Sequence, residues 1–423
     1  MAYEFLIIGL TIVIGFAASI LFERTKISQV IVLMFFGFLL GPVLGILPVG
    51  SESVMVSILP FVATLALIVL LFDGGMEFDV FTMAKAIPKS MLFTLAVFLL
   101  SVALVMIFTV LALGWPITHG ALLGTVIGGI SSAVVITMVE KTGIKKETKS
   151  LLAVESTMTD ALCIIAAMII VQIILANQVP TIDIVANILL SQFTIAITFG
   201  LIAATIWIGI TDRFAVHCYG YMLMLALVFI LFAATESVKG NGGIAVFVFG
   251  LILGNARKLG KLAQVEWENP VSRMMKLFQE EVTFFVRTFF FVYIGLLLSL
   301  DYFTIDIVIV SIALVGLLLI ARFLAQRLIL RSLPTRDMRV VMTMMPRGLA
   351  AAVLATIPLT TGIVVSNFRE LVFGVILFSN IAATLGTYAF DRETPEKGNE
   401  SCKKKEDADE VHKEARKGKN SRK

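Results

Sequence analysis

The sequence predicts an all-α polytopic membrane protein of about thirteen transmembrane helices, two of them broken and crossing, arranged as an inverted repeat. Three observations carry that prediction. Of the 423 residues, 58% are hydrophobic and the mean hydropathy is +0.98, more apolar surface than a soluble core of this size buries. Apolar runs of about 20 residues, the length that crosses a bilayer, follow one another as far as about residue 390. Positive charge is concentrated in alternate loops, as it is when those loops face the cytoplasm.

In order, the apolar segments span roughly 4 to 22, 28 to 47, 54 to 72, 88 to 113, 117 to 139, 149 to 176, 184 to 210, 219 to 238, 242 to 255, 281 to 300, 303 to 331, 338 to 361 and 369 to 390. Only Met1-Ala2-Tyr3-Glu4 precedes the first run, without the basic residues of a cleavable signal peptide, so that run is expected to stay as a helix. One set of loops holds Arg24 and Lys26; Lys85 and Lys89; Lys141, Lys145, Lys146 and Lys149; Arg213; Arg257, Lys258, Lys261, Arg273 and Lys276; and Arg327, Arg331, Arg336 and Arg339. The other set holds only Lys239 and Arg369. This asymmetry puts the first set and the C-terminus in the cytoplasm and the N-terminus outside, which requires an odd number of crossings.

Residues 391–423 change to charged and polar composition and read as a disordered cytoplasmic tail, too poor in apolar residues to fold into a nucleotide-binding domain. Cys163, Cys218 and Cys402, like His119, His217 and His412, show no metal-binding or disulfide spacing. No cofactor is expected. Membrane lipid is the expected surroundings, and nothing calls for nucleic acid or nucleotide.

Segment five contains Gly124 and Gly128-Gly129-Ile130-Ser131-Ser132, and segment twelve contains Met344-Met345-Pro346-Arg347-Gly348. Glycine, proline and small hydroxyl residues at membrane depth permit unwound backbone whose polar groups must be satisfied inside the protein. The two breaks lie seven segments apart. Interrupted helices at matching positions of two halves mark the ion site of inverted-repeat transporters. The halves would be about 1–176 and 219–390.

Asp160 is followed by ten residues without a charge, and an isolated intramembrane acid is a functional-site candidate because ionising it in hydrocarbon is costly without a compensating ion or water. Glu155 lies five positions earlier, so on a helix the two acids point about 140° apart and need different roles. Ser156 shares the face of Asp160, and Thr159 that of Glu155. Arg287 and Arg347 sit in apolar stretches and need carboxylate partners. Glu155 is the expected partner of Arg347 or Arg287 in a structural ion pair, leaving Asp160 free to work.

Together these residues resemble a known family. Glu155-Ser156-x-x-Thr159-Asp160 is similar to the Glu-Ser-x-x-Asn-Asp motif of sodium/proton antiporters of the NhaP and NHE type, in the monovalent cation:proton antiporter superfamily. Leu71-Phe72-Asp73-Gly74-Gly75-Met76-Glu77, Arg287-x-Phe-Phe-Phe-x-x-x-Gly295 and Pro346-Arg347-Gly348 add to the resemblance, which covers about residues 5 to 390. It implies the thirteen-helix antiporter fold and a homodimer. Two departures bear on the ion. Ile130-Ser131-Ser132 stands where members commonly carry Thr-Asp-Pro, so a second ligand carboxylate is missing, and Thr159 replaces Asn. Ser131, Ser132 and Ala133 instead resemble the potassium-efflux-type branch.

The expected function is exchange of a monovalent cation for a proton by competition at Asp160. Na⁺ is the first expectation, with K⁺ or Li⁺ as alternatives. A carboxylate removed from water takes up a proton readily. A cation held by Asp160 with Ser156, Ser131, Ser132, Thr159 and backbone oxygens would displace that proton. One titrating acid implies electroneutral exchange. Asp73 and Glu77 are expected as helix-end charges, with a gating or pH-sensing role as the alternative. Among rivals, an intramembrane aspartyl protease needs two deep aspartates, and Asp160 alone reads as deep. A channel needs a carbonyl filter that is not seen. Sodium-coupled symport of an organic solute needs a larger polar pocket than these Met- and Phe-rich segments suggest.

Overall fold

The computed structural model describes residues 2–25, 28–45, 54–81, 88–140, 144–175, 189–213, 220–263, 273–297, 304–331 and 333–391. Among them there is helix and no strand. The helices are α1 (Ala2–Thr25), α2 (Gln29–Phe38, continued by a π-helical turn Leu39–Val43), α3 (Val54–Glu77), α4 (Pro88–Leu113), α5 (Ile117–Gly128), α6 (Ser132–Glu140), α7 (Lys146–Leu175), α8 (Thr194–Arg213), α9 (Gly220–Ser237), α10 (Gly242–Ala263), α11 (Arg273–Leu297), α12 (Ile305–Ile329), α13 (Thr335–Thr343), α14 (Leu349–Leu354), α15 (Ile357–Thr361) and α16 (Phe368–Asp391). The tail beyond Asp391 lies outside the described residues.

Each of the thirteen apolar segments overlaps one of these helices or an interrupted group of them. Seven helices among the described residues are individually long and apolar enough to cross a membrane. Helices α1, α3 and α11, of 24, 24 and 25 residues, extend about 36 Å or more at 1.5 Å per residue, enough for a hydrocarbon core about 30 Å thick. Segments five and twelve are the interrupted ones: α5 and α6 flank a break at Gly129–Ser131, and α13 and α14 flank another at Met344–Gly348.

The boundaries differ from expectation where charged turns continue a helix past its apolar stretch. Helix α3 runs on to Glu77, so Asp73 and Glu77 are on its last turns rather than beyond it. Helix α11 begins at Arg273, two turns ahead of its apolar part, because Arg-Met-Met-Lys-Leu-Phe-Gln-Glu-Glu is amphipathic and can extend into the interface.

Helix α7 lies against α5, α6 and α14, α3 packs on α10, and α11 packs on α2. The α3–α10 contact brings backbone to backbone. A Cβ on Gly250 would collide with the carbonyl of Phe72, one on Gly254 with that of Met76, and one on Gly75 with that of Phe247. Small residues of this kind let membrane helices approach closely. Gly250→Val is therefore expected to destabilise the protein by about 1–3 kcal/mol or more through overpacking. Gly316→Ala, with nothing within 4 Å of the added carbon, should be near neutral. Thermal unfolding in detergent compares the two.

Candidate functional site

The two breaks meet. The Ser131 N–H donates to the Pro346 carbonyl at 2.8 Å, joining one unwound stretch to the other. Gly348 faces Ser131 so closely that a Cβ there would overlap its hydroxyl, so only glycine fits this crossing. The freed backbone groups are answered by side chains, as a low-dielectric interior demands. The Ile130 N–H donates to Thr159 Oγ1 at 3.1 Å, the Arg347 N–H to Ser379 Oγ at 3.2 Å, and Asn380 Nδ2 to the Arg347 carbonyl at 2.7 Å. Ser28 Oγ in turn donates to Asn380 Oδ1 at 2.7 Å.

Breaking a helix exposes two ends of opposite polarity. The C-terminal end of α5 is met by the buried Arg347 guanidinium, which donates to the Gly129 carbonyl and, at 3.3 Å, to that of Gly128. The N-terminal end of α6 is met by Asp160 on α7, whose Oδ2 accepts from the Ser132 N–H at 3.5 Å. A cation thus sits at the negative end and an anion at the positive end, which holds Asp160 at a fixed place beside the crossing.

Asp160 also faces a cavity of about 230 Å³, whose wall includes Ser131, Ser132, Thr157, Asp73, Glu77 and Arg287. Asp73 accepts from Thr283 Oγ1 on α11 at 3.2 Å. Arg287, one turn after Thr283, lies within the electrostatic reach of Asp73, Glu77 and Asp160. The Thr157 hydroxyl donates to the Ala153 carbonyl at 2.9 Å and keeps its oxygen lone pairs available to a ligand. No cluster of three or more His, Cys, Asp or Glu suited to a resident metal ion occurs among the described residues.

Several expectations need correction. Glu155 is ion-paired, but with neither Arg347 nor Arg287. Its partner is Arg322 of α12, through Nη1 to Oε1 and through Nη2 to Oε2 at 2.9 Å, with both side chains essentially inaccessible. Arg322 also donates through Nε to the Val341 carbonyl of α13. Arg347 is taken up by carbonyls, and Arg287 faces the cavity acids. Nor does Asp160 stand alone, because Asp73 shares its cavity.

Ser131 and Ser132 line the cavity, whereas Ser156 and Thr159 do not. Ser156 Oγ donates to the Ala153 carbonyl at 3.1 Å, and Thr159 Oγ1 donates to the Ser156 carbonyl at 3.2 Å besides accepting from Ile130; both residues are fully buried. The stripe of α7 that faces the cavity is Thr157, Asp160, Ala161 and Ile164, the three-and-four spacing of one helical face. Thr157 lies three residues before Asp160, and residues three and four positions back are both neighbours on a helix, so spacing alone does not choose between it and Ser156. Arg322 lies within the long apolar segment of α12, where no motif in the sequence marks it as the partner of Glu155.

A family model described as sodium/hydrogen exchanger, transmembrane, matches residues 9–390. The chain is similar to Na(+)/H(+) antiporter 1 of Methanocaldococcus jannaschii, 25% identical over 309 residues that cover 70% of this chain and 68% of that protein. It is also similar to K(+)/H(+) antiporter NhaP of Alkalimonas amylolytica, 28% identical over 258 residues that cover 60% of this chain and 44% of the relative. Among solved structures, that of the sodium proton antiporter MjNhaP1 from Methanocaldococcus jannaschii at pH 8 superposes with a TM-score of 0.71 at 20% identity, covering 92% of this chain and 96% of that one.

Proposed function

The chain belongs to the sodium/hydrogen exchanger family of transmembrane proteins, and from that premise we propose that it is a secondary active antiporter exchanging a monovalent cation for a proton at Asp160. One observation carries the reading: an intramembrane carboxylate stands where two broken helices cross and faces a cavity lined with hydroxyl oxygens. Ser131, Ser132 and Thr157 supply neutral oxygens of the kind that coordinate Na⁺ or K⁺, and Asp160 supplies the charge. Thr159 acts behind them, holding the break through the Ile130 N–H, while the Ser156 hydroxyl is engaged within its own helix. The relatives include proteins named for Na⁺ and for K⁺ exchange, and the hydroxyl-rich site admits either ion.

Proton and cation compete for the same carboxylate. Either occupant neutralises it, and only the neutralised site crosses the hydrophobic barrier at low cost. The exchange needs no covalent step, so the protein is a transporter and not an enzyme. A cavity of about 230 Å³ falls below the roughly 300–1,000 Å³ of pockets that enclose organic ligands, which disfavours solute symport.

In this reading residues 1–390 form one transporter domain of two inverted repeats, about 1–176 and 219–390, in the cell membrane. The N-terminus lies outside and the C-terminus, with its disordered tail, in the cytoplasm. The transporter works as a homodimer in the control of internal pH. Arg287 balances Asp73 and Glu77 at the cavity wall, and those two acids gate access to Asp160 rather than carry a proton.

Exchange is then one proton for one cation and electroneutral. In proteoliposomes clamped with valinomycin at two potentials, the Na⁺-driven proton flux should be the same at both. Net charge moved per cycle would mean that Asp73 or Glu77 also carries a proton. Flux with K⁺, Na⁺ and Li⁺ under an imposed pH gradient identifies the cation, and absence of flux with all three would overturn the assignment.

A further inference from the structure

A buried hydrogen-bonded chain leads away from the cavity to α9. The Tyr221 hydroxyl donates to Gln279 Oε1 at 3.2 Å, Gln279 Nε2 donates to Thr283 Oγ1 at 3.3 Å, and the Thr283 hydroxyl donates to Asp73 Oδ2 at 3.2 Å. Tyr221, Gln279 and Thr283 are all buried. We propose that Gln279 is a positioning residue of the transport site, which turns the Thr283 hydroxyl off its own helix and onto Asp73 and so keeps that acid ionised at the cavity wall.

Thr94, Thr125, Thr235 and Thr387 show what a helical threonine does by default: each donates to the carbonyl four residues back at 2.8 Å. For Thr283 that carbonyl would belong to Gln279, yet its proton goes across to α3 instead. Gln279, Thr283 and Arg287 follow one another at four-residue intervals on one stripe of α11. The Gln279 amide therefore occupies the side of the Thr283 oxygen that faces residue 279, and the hydroxyl proton is left to the other side, where Asp73 lies. The amide is itself held in this sense by Tyr221, which donates to its oxygen and stacks its ring on Phe278 with centroids 5.5 Å apart. An amide in the middle of the chain neither gives up nor takes on a proton near neutral pH, so the chain orients Asp73 and conducts nothing from it.

Asp73 needs such a donor because of its company. Glu77 from its own helix, Glu280 and Arg287 from α11, Tyr221 from α9 and, across the cavity, Asp160 from α7 surround it. What α10 and α14 present to the cavity is Phe247, Leu349 and Ala350. Three cavity acids that share one guanidinium favour protonation of one of them. A hydrogen bond to an ionised carboxylate is about twice as strong as one to a neutral acceptor, so the Thr283 hydroxyl selects the ionised form of Asp73. The consequence for transport rests on the antiport reading: with Asp73 held ionised, Asp160 is left as the acid whose proton is exchanged.

Infrared spectroscopy of the purified full-length protein in lipid nanodiscs reads carboxyl groups directly, and the bands lost in Asp73→Asn belong to Asp73. At pH 7 the wild type should show Asp73 as carboxylate. In Gln279→Leu, or in Gln279→Met if the leucine variant does not fold, Asp73 should bind a proton about tenfold more tightly. Thr283→Val, which removes the donor outright, should have at least as large an effect. Ser311→Ala, which removes a buried hydroxyl of α12 that has no hydrogen-bond partner, should leave the Asp73 bands unchanged. A protonated Asp73 in the wild type, unchanged bands in the Gln279 or the Thr283 variant, or an equal change in Ser311→Ala would overturn the inference, whether or not the protein transports. In proteoliposomes clamped with valinomycin at two potentials, Gln279→Leu should move net charge per cycle, and Gln279→Leu/Asp73→Asn should not. Electroneutral flux in Gln279→Leu would overturn the consequence for transport, whereas absence of flux in the wild type would overturn the antiport reading alone.

Discussion

Asp160→Asn should abolish cation-dependent proton movement and leave a folded protein. The amide is nearly isosteric with the carboxyl group, and its oxygen can still accept from the Ser132 N–H at the start of α6. The crossing itself does not depend on Asp160, since it is held by the Ser131–Pro346 backbone bond and by Arg347 on the Gly128 and Gly129 carbonyls. On the proposed mechanism, what disappears is the one charge that proton and cation neutralise in turn. In proteoliposomes with an outward proton gradient, the variant should be indistinguishable from protein-free vesicles for Na⁺, K⁺ and Li⁺ alike. Its thermal midpoint should stay near that of the wild type, because the amide keeps the contact with the Ser132 N–H and carries no charge to bury. Wild-type flux in this variant would overturn Asp160 as the carrier and point to Asp73 or Glu77, which line the same cavity.

Breaking the Glu155–Arg322 pair has the largest expected effect on stability. Both groups are nearly inaccessible, and they join α7 to α12 while Arg322 reaches on to the Val341 carbonyl of α13 and lies 5.7 Å from the centre of the Phe93 ring of α4. Glu155→Gln would strand the Arg322 charge in the interior, at a cost of about 3–5 kcal/mol. Glu155→Gln/Arg322→Met removes both charges, and a well-packed apolar replacement can be neutral or stabilising. The double variant should therefore recover much of the loss, although the bond to Val341 is lost with it. Melting in detergent and the fraction of monodisperse protein report both effects. If Glu155→Gln melted with the wild type yet failed to transport, the pair would belong to the transport cycle and not to the scaffold.

Much of the fold follows from the membrane as a solvent. A chain in hydrocarbon must satisfy its backbone within each segment, so long apolar stretches such as 88–113 become helices whose limits coincide with the stretch. The breaks were legible for the same reason in reverse: Gly128-Gly129 and Pro346-Arg347-Gly348 are where a helix can be interrupted, and the chain is unwound at Gly129–Ser131 and Met344–Gly348. The candidate site was legible only in part. Helical spacing placed Ser156 beside Asp160, but which flank of the helix faces a cavity depends on the helices packed against it, and these expose Thr157 instead.

Local sequence thus determined that this protein is a bundle of membrane helices, that two of them are broken, and that Asp160, Glu155, Arg287 and Arg347 cannot lie unanswered at depth. The cost of burial is a property of each residue and its apolar neighbours, so it can be read along the chain. Partner choice is not. Glu155 and Arg322 are 167 residues apart, Thr283 and Asp73 are 210 apart, and Arg347 reaches a carbonyl 218 residues away. Several arginines could have met Glu155 on charge alone. Only the packing of α7 and α12 on their shared neighbour α4, and of the two broken helices against each other, decided which did, because ion pairs and hydrogen bonds act over a few ångströms that the order of residues does not specify.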